Sequence, residues 1–230
     1  MTDDDIARRV ADVRDRIARA CGRADRDATE VTLVAVAKTF PADAVARAVR
    51  TGCADIGENR AQELKQKAAI LGSLDIRWHF VGPLQTNKVR HVVGTAGLIH
   101  SVDRPGLGEA IARRARALGI AQEVLVEVNL AGEQAKAGVE PARAVPLAAE
   151  LAGMEGLSVK GLMAIPPVAV SPEGAAAGFA RLAELGAETA GAVPGATELS
   201  MGMSHDFEVA IEEGATIVRV GEAIFGPRTA

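Results

Sequence analysis

The chain has 230 residues, 48% of them hydrophobic but only 3% aromatic, with one Trp and no Tyr. That is enough for one well-buried core, which Ala, Val, Leu and Ile must build. Its 26 basic and 30 acidic residues give a net charge of −4, which argues against a nucleic-acid surface and a polybasic membrane anchor but not against a local anion pocket.

The chain opens on Met1-Thr2-Asp3-Asp4-Asp5, without the basic start and apolar run of a secretory signal. The three aspartates suit a helix N-cap and first turn, Ile6, Val10, Val13 and Ile17 follow at helical spacing, and Gly22 is expected to end the run. From residue 31 short apolar runs alternate with longer helical stretches. Strands are predicted at 31–37, 54–56, 76–81, 97–102, 122–130, 157–165, 197–200 and 216–220. Helices are predicted between them, near 41–51, 59–71, 85–93, 105–118, 140–152, 173–191 and 204–213. Pro41, Pro105, Pro141 and Pro172 mark helix starts, and Gly52, Gly119, Gly153 and Gly214 mark helix ends. No segment approaches the ~18 uninterrupted apolar residues of a membrane span. Cys21 and Cys53 are isolated, with neither a disulfide framework nor zinc-ligand spacing. A cytoplasmic protein in a reducing compartment is expected.

Eight strands alternating with helices imply parallel β/α units in the α/β class. Closure into a single (β/α)8 TIM-type barrel with an extra N-terminal helix, one domain over residues 1–230, leaves no exposed edge. An open doubly wound sheet is the alternative, weakened by the lack of a GxGxxG at the first strand–helix turn.

In a barrel, functional side chains gather at the C-terminal ends of the strands. Lys38 is the sharpest feature there: it follows the apolar run VTLVAVA, and a lysine desolvated in a barrel mouth offers the neutral amine that condenses with an aldehyde. The bland reading is a rim lysine paired with a carboxylate such as Glu58. Arg219 sits within the apolar strand ATIVRVG and is expected to point inward at a specific acceptor, or else to pair with Glu58, Glu198 or Glu222. The loops after strands seven and eight, SMGMSHD and GEAIFG, hold the glycines, serines and helix starts of the usual barrel phosphate site. His79, between Trp78 and Phe80, is a weaker ligand candidate and reads first as a hydrogen-bonded core histidine; His100 and His205 read as blandly, and the four histidines lack metal-ligand spacing. Met154, Met163, Met201 and Met203 look like packing residues, with Met163 kept as a cofactor-lining candidate.

Assembled, these residues resemble a known family, the YggS/PROSC-type pyridoxal phosphate homeostasis proteins, along nearly the whole chain. The strings VAVAKTFP, DIGENRAQEL, WHFVGPLQTNK, IHSVDR, VNLAGEQAKAGV, GLMAIPP, LSMGMSHDFEVAI and VRVGEAIFGPR carry the likeness. The resemblance implies a fold-type III barrel like the N-terminal domain of alanine racemase, with pyridoxal 5′-phosphate held as a Schiff base on Lys38 and Arg219 facing the pyridine nitrogen. It further implies a phosphate held near Ser200, Ser204, Gly221 and Glu222, a pocket lined by Asn59, His79 and Asn129, and a secondary contact at Lys136. Arg60 stands where the family often has Tyr, so an aromatic pocket role is lost there.

A two-base racemase needs an acid/base on each face of its substrate, and its relatives use lysine and tyrosine; this chain has no tyrosine. An arginine cannot hand its proton to the ring nitrogen, which leaves a poorer electron sink. The expectation is therefore a monomeric, non-catalytic carrier that buffers pyridoxal phosphate for vitamin B6 and amino-acid homeostasis and passes it to apo-enzymes. A slow racemase or lyase is the rival reading, and a phosphate-sugar-binding barrel a third.

Overall fold

The computed structural model describes residues 2–130, 137–165 and 172–227. Eight parallel strands form a closed barrel: β1 (Thr32–Val36), β2 (Asp55–Glu58), β3 (Arg77–Phe80), β4 (Leu98–Val102), β5 (Gln122–Val128), β6 (Leu157–Ala164), β7 (Glu198–Ser200) and β8 (Ile217–Val220). Each pairs with its sequence neighbour, and β8 closes on β1 with Val34 opposite Arg219.

Around it stand α1 (Asp3–Arg23), α2 (Ala42–Arg50), α3 (Ala61–Ile70), α4 (Pro105–Ala117), α5 (Pro141–Ala152), α6 (Pro172–Ala192), α7 (Phe207–Glu212) and α8 (Glu222–Phe225). The N-terminal helix starts as its sequence dictates: the Thr2 hydroxyl accepts from Asp5 N–H while the Asp5 carboxylate accepts from Thr2 N–H, a reciprocal cap. It does not stop at Gly22 but runs one residue further, and the reversal falls at Asp25, with φ 52°. The stretch predicted as a helix near 85–93 is a 3₁₀ turn over Thr86–His91, too short to propagate. The helix predicted at 204–213 begins only at Phe207, because Asp206 Oδ1 accepts from Met203 N–H and holds 203–206 as a turn.

Two layers of packing follow from strand alternation. Outward-facing Ala35, Ile56, Phe80, Ile99, Val126 and Leu162 meet the buried faces of the helices in one continuous apolar layer. Inward-facing Val34, Val36, Leu98, Leu125, Met163 and Ile217 form a separate, smaller cluster. They come from β1 and β8 on one side of the barrel and from β4, β5 and β6 on the other, so the cluster closes across the barrel interior. The N-terminal mouth is closed by polar contacts, Arg77 and Lys160 to Glu123, and Thr216 to Glu198. No described helix is long and apolar enough to cross a membrane.

Candidate functional site

At the opposite mouth lies a cavity of about 370 Å³, within the range of small-molecule sites. Its floor and walls come from the ends of β1, β2 and β8 and from the loops that follow β3, β7 and β8. Lys38, Asn59, Ser204, Arg219, Gly221 and Glu222 all line it.

Lys38 lies two residues beyond β1 and continues the inward alternation of Val34 and Val36. It is half-buried at the cavity wall rather than sunk beneath it. Among the described residues no carboxylate pairs with it; Glu58, the suspected partner, faces outward and binds the Lys67 ammonium at 2.5 Å. That buried pair secures the lysine turn from behind, since Lys67 Nζ also donates to the Ala37 carbonyl at 3.0 Å. On the other side Thr39 N–H donates to Glu63 Oε2 at 3.2 Å. Between them Thr39 adopts φ 70°, a left-handed conformation that a β-branched residue takes only when its surroundings impose it.

Arg219 is 5% exposed. Its guanidinium donates to Ser200 Oγ at 2.6 Å and to the Ala164 carbonyl at 3.0 Å. None of Glu58, Glu198 and Glu222 is its ion-pair partner among the described residues. Those two bonds use only part of its donor set, and the residue lines the cavity. Burial pushes it down to about 10, with Glu127 and Asp206 pulling the other way, so it keeps its charge at neutral pH.

Asn59 presents a carbonyl oxygen that is buried with no hydrogen-bond partner among the described residues. Gly82 lets the β3 loop lie against it, because a Cβ there would come within 2.3 Å of the Asn59 carbonyl. In the β7 loop Gly202 has φ 89°, and a Cβ would reach 2.9 Å from Phe207 Cα, so the loop turns tightly into α7. The Ser204 hydroxyl accepts from Ala223 N–H at 3.3 Å and ties that loop to the start of α8.

The other sequence candidates lie elsewhere. His79 and Met163 are fully buried in the barrel interior below the cavity. Ser200 is also buried, under Arg219 rather than in the wall. Asn129 is half-buried after β5 and is not among the cavity's lining residues. Lys136 lies outside the described residues. Arg60 is exposed and paired with Glu63. Sequence reasoning missed the apolar walls, Phe40, Val81, Ile165 and Met203, whose only signal was their position one to four residues past a strand. It also missed Glu127, an inward carboxyl that burial, aided by Asp103 and opposed by Arg219, pushes up to about 7.

Comparison with known proteins matches residues 10–229 to the family described as alanine racemase, N-terminal domain. A pyridoxal phosphate homeostasis protein of Aquifex aeolicus is 45% identical over 224 residues, covering 96% of this chain and 97% of that one. One from Pseudomonas aeruginosa is 42% identical, covering 97% and 96%. The solved structure of PipY from Synechococcus elongatus with PLP bound superposes with a TM-score of 0.84 at 36% identity, over 96% of this chain and all of that one (100%).

Proposed function

This chain belongs to the family of pyridoxal phosphate homeostasis proteins, built on the alanine racemase N-terminal domain, and on that premise we propose that it binds pyridoxal 5′-phosphate covalently on Lys38 and buffers it rather than turning over substrates. The observation that carries the reading is that Lys38 and Arg219 line one cavity, an amine at the wall and a fixed cation at the floor.

Pyridoxal phosphate, when bound, supplies an aldehyde that condenses reversibly with a primary amine. The residues present fit such a group. Lys38 supplies the amine, on a turn held by Lys67 and Glu63 and with no carboxylate partner among the described residues. Arg219 directs a permanent donor at the ring nitrogen and keeps its own proton. The orphaned Asn59 oxygen takes a ligand hydroxyl, and the Ser204 and Gly221 loops, with Glu222 beside them, hold the phosphate. Phe40, Val81, Ile165 and Met203 exclude water from the ring.

Two features support a carrier over a fast enzyme. The chain has no tyrosine to act as a second base, and Arg219 withholds the proton that would make the ring a strong electron sink. The same reading takes the protein as a cytoplasmic monomer, in keeping with its two free thiols, and apo-enzymes as the recipients of the cofactor.

The test is spectroscopic. Purified protein soaked in pyridoxal phosphate should gain an absorbance band near the visible edge, and borohydride should fix the adduct on Lys38 in a peptide map. The Lys38→Ala protein should stay colourless; a wild-type protein that stays colourless overturns the proposal. Exchange of amino-acid α-protons approaching ~10 per second would reject the carrier half alone.

A further inference from the structure

A single file of polar side chains runs through the barrel interior beneath the cavity. Asp55, the first residue of β2, stands at the N-terminal mouth and lies 2.8 Å from His79 Nε2. His79 Nδ1 lies 2.9 Å from His100 Nε2. His100 Nδ1 lies 2.8 Å from Ser200 Oγ, on a strand across the barrel. Ser200 Oγ accepts from Arg219, at the floor of the cavity. Both histidines are 0% exposed, so no bulk water can substitute for a missing partner.

The two ends of this file fix its direction. A guanidinium can only donate, and an ionised carboxylate can only accept. Ser200, already accepting from Arg219, therefore gives its hydrogen to His100 Nδ1. His100 then carries its proton on Nε2 and donates to His79 Nδ1. His79 in turn carries its proton on Nε2 and donates to Asp55. Every polar atom in the file is satisfied with both rings neutral. The reverse direction leaves the Ser200 hydroxyl hydrogen without a described acceptor, and sets a ring lone pair against the carboxylate unless that takes up a proton. Burial also lowers both imidazoles, against the pull of Asp55 on His79 and with His79 and Arg219 adding to it on His100.

We propose that Asp55, His79 and His100 are positioning residues, a one-way hydrogen-bond relay that anchors Ser200 and so holds the Arg219 guanidinium in the cavity floor. None of the three lines the cavity. What the relay adds is one orientation of Arg219 set from the far mouth, with a proton position defined at every link. The step from the relay to ligand binding rests on the pyridoxal phosphate reading above; the relay itself does not.

The experiment uses the full chain labelled with ¹⁵N in its histidine rings. In the unloaded wild type at pH 7, two-bond ¹H–¹⁵N spectra should show both buried rings as neutral Nε2–H tautomers. Asp55→Asn keeps the shape at a half-buried edge but offers a donor as readily as an acceptor. It should mix the two tautomers at His79 and His100 and weaken pyridoxal phosphate affinity about tenfold in an absorbance titration, although position 55 touches nothing in the cavity. An imidazolium or an Nδ1–H ring in the wild type overturns the relay, as do unchanged tautomers in Asp55→Asn. Mixed tautomers with unchanged affinity overturn the positioning role. A wild type that takes up no pyridoxal phosphate counts against the binding reading, while the spectra of the unloaded chain still decide the relay.

Discussion

The apolar layer outside the barrel and the mixed column inside it are built from the same strands, one residue out of phase. Outside, almost every side chain is aliphatic or aromatic, and the helices can meet the sheet in many ways that cost little. Inside, six apolar residues share the space with a file of hydrogen-bonded polar groups that ends in Arg219. The outer layer carries stability and the inner one carries orientation. The one buried ion pair of the outer layer among the described residues, Glu58–Lys67, sits directly behind Lys38. Both arrangements place buried polar groups behind a side chain of the cavity, Lys38 in one case and Arg219 in the other.

Substitutions that act on one layer alone test this division. The largest effect is expected at Phe207, fully buried at the start of α7 with the Arg16 guanidinium 4.5 Å from its ring centre. Phe207→Ala should lower unfolding free energy by about 3–5 kcal/mol in chemical denaturation, with the absorbance of loaded protein unchanged. A lost band would mean that the outer layer also sets the site. Next is Lys67→Met, which leaves the buried Glu58 carboxylate uncompensated and should cost about 3 kcal/mol. Adding Glu58→Gln should recover most of that stability but not the Lys38 turn, since the Ala37 carbonyl stays unheld. Separate, additive losses in the double mutant would show that the pair is not a unit.

The same division explains what the sequence revealed. Short apolar runs separated by longer helical stretches locate all eight strands to within about two residues, because a parallel strand buried on both faces is apolar almost throughout. The segment Thr86–His91 reads as a helix from the spacing of its apolar residues, but it is too short and forms a 3₁₀ turn. Lys38, Asn59, Ser204, Arg219, Gly221 and Glu222 were legible as one group because each ends a strand or opens the loop after it, and all six share the cavity. His79, Met163 and Ser200 carry the same signal and lie deeper. Alternation tells which face of a strand a residue takes, but not its height along the barrel axis, which depends on the register between strands. Asp55 and Glu127 give no signal for a different reason: a carboxylate in a strand reads as solvent-facing until closure of the barrel buries it.

Glu127 offers the smallest effect and the one of opposite sign. It points inward after Leu125, is 8% exposed, and its carboxyl is pushed up to about 7 by burial first, then by Asp103, against the pull of Arg219. In the unfolded chain the same group titrates near the ordinary value of 4.5. Between those two values the native protein holds a proton that the unfolded chain has released. Stability from this group is therefore complete below about pH 4.5 and is lost as pH rises through about 7. Glu127→Gln keeps the neutral shape at every pH. It should match the wild type at pH 4.5 and exceed it by about 2 kcal/mol at pH 8, a discounted fraction of what so large a shift allows. Parallel pH profiles for the two proteins would show instead that the carboxylate is paid no penalty inside the barrel, and that Arg219 already compensates it.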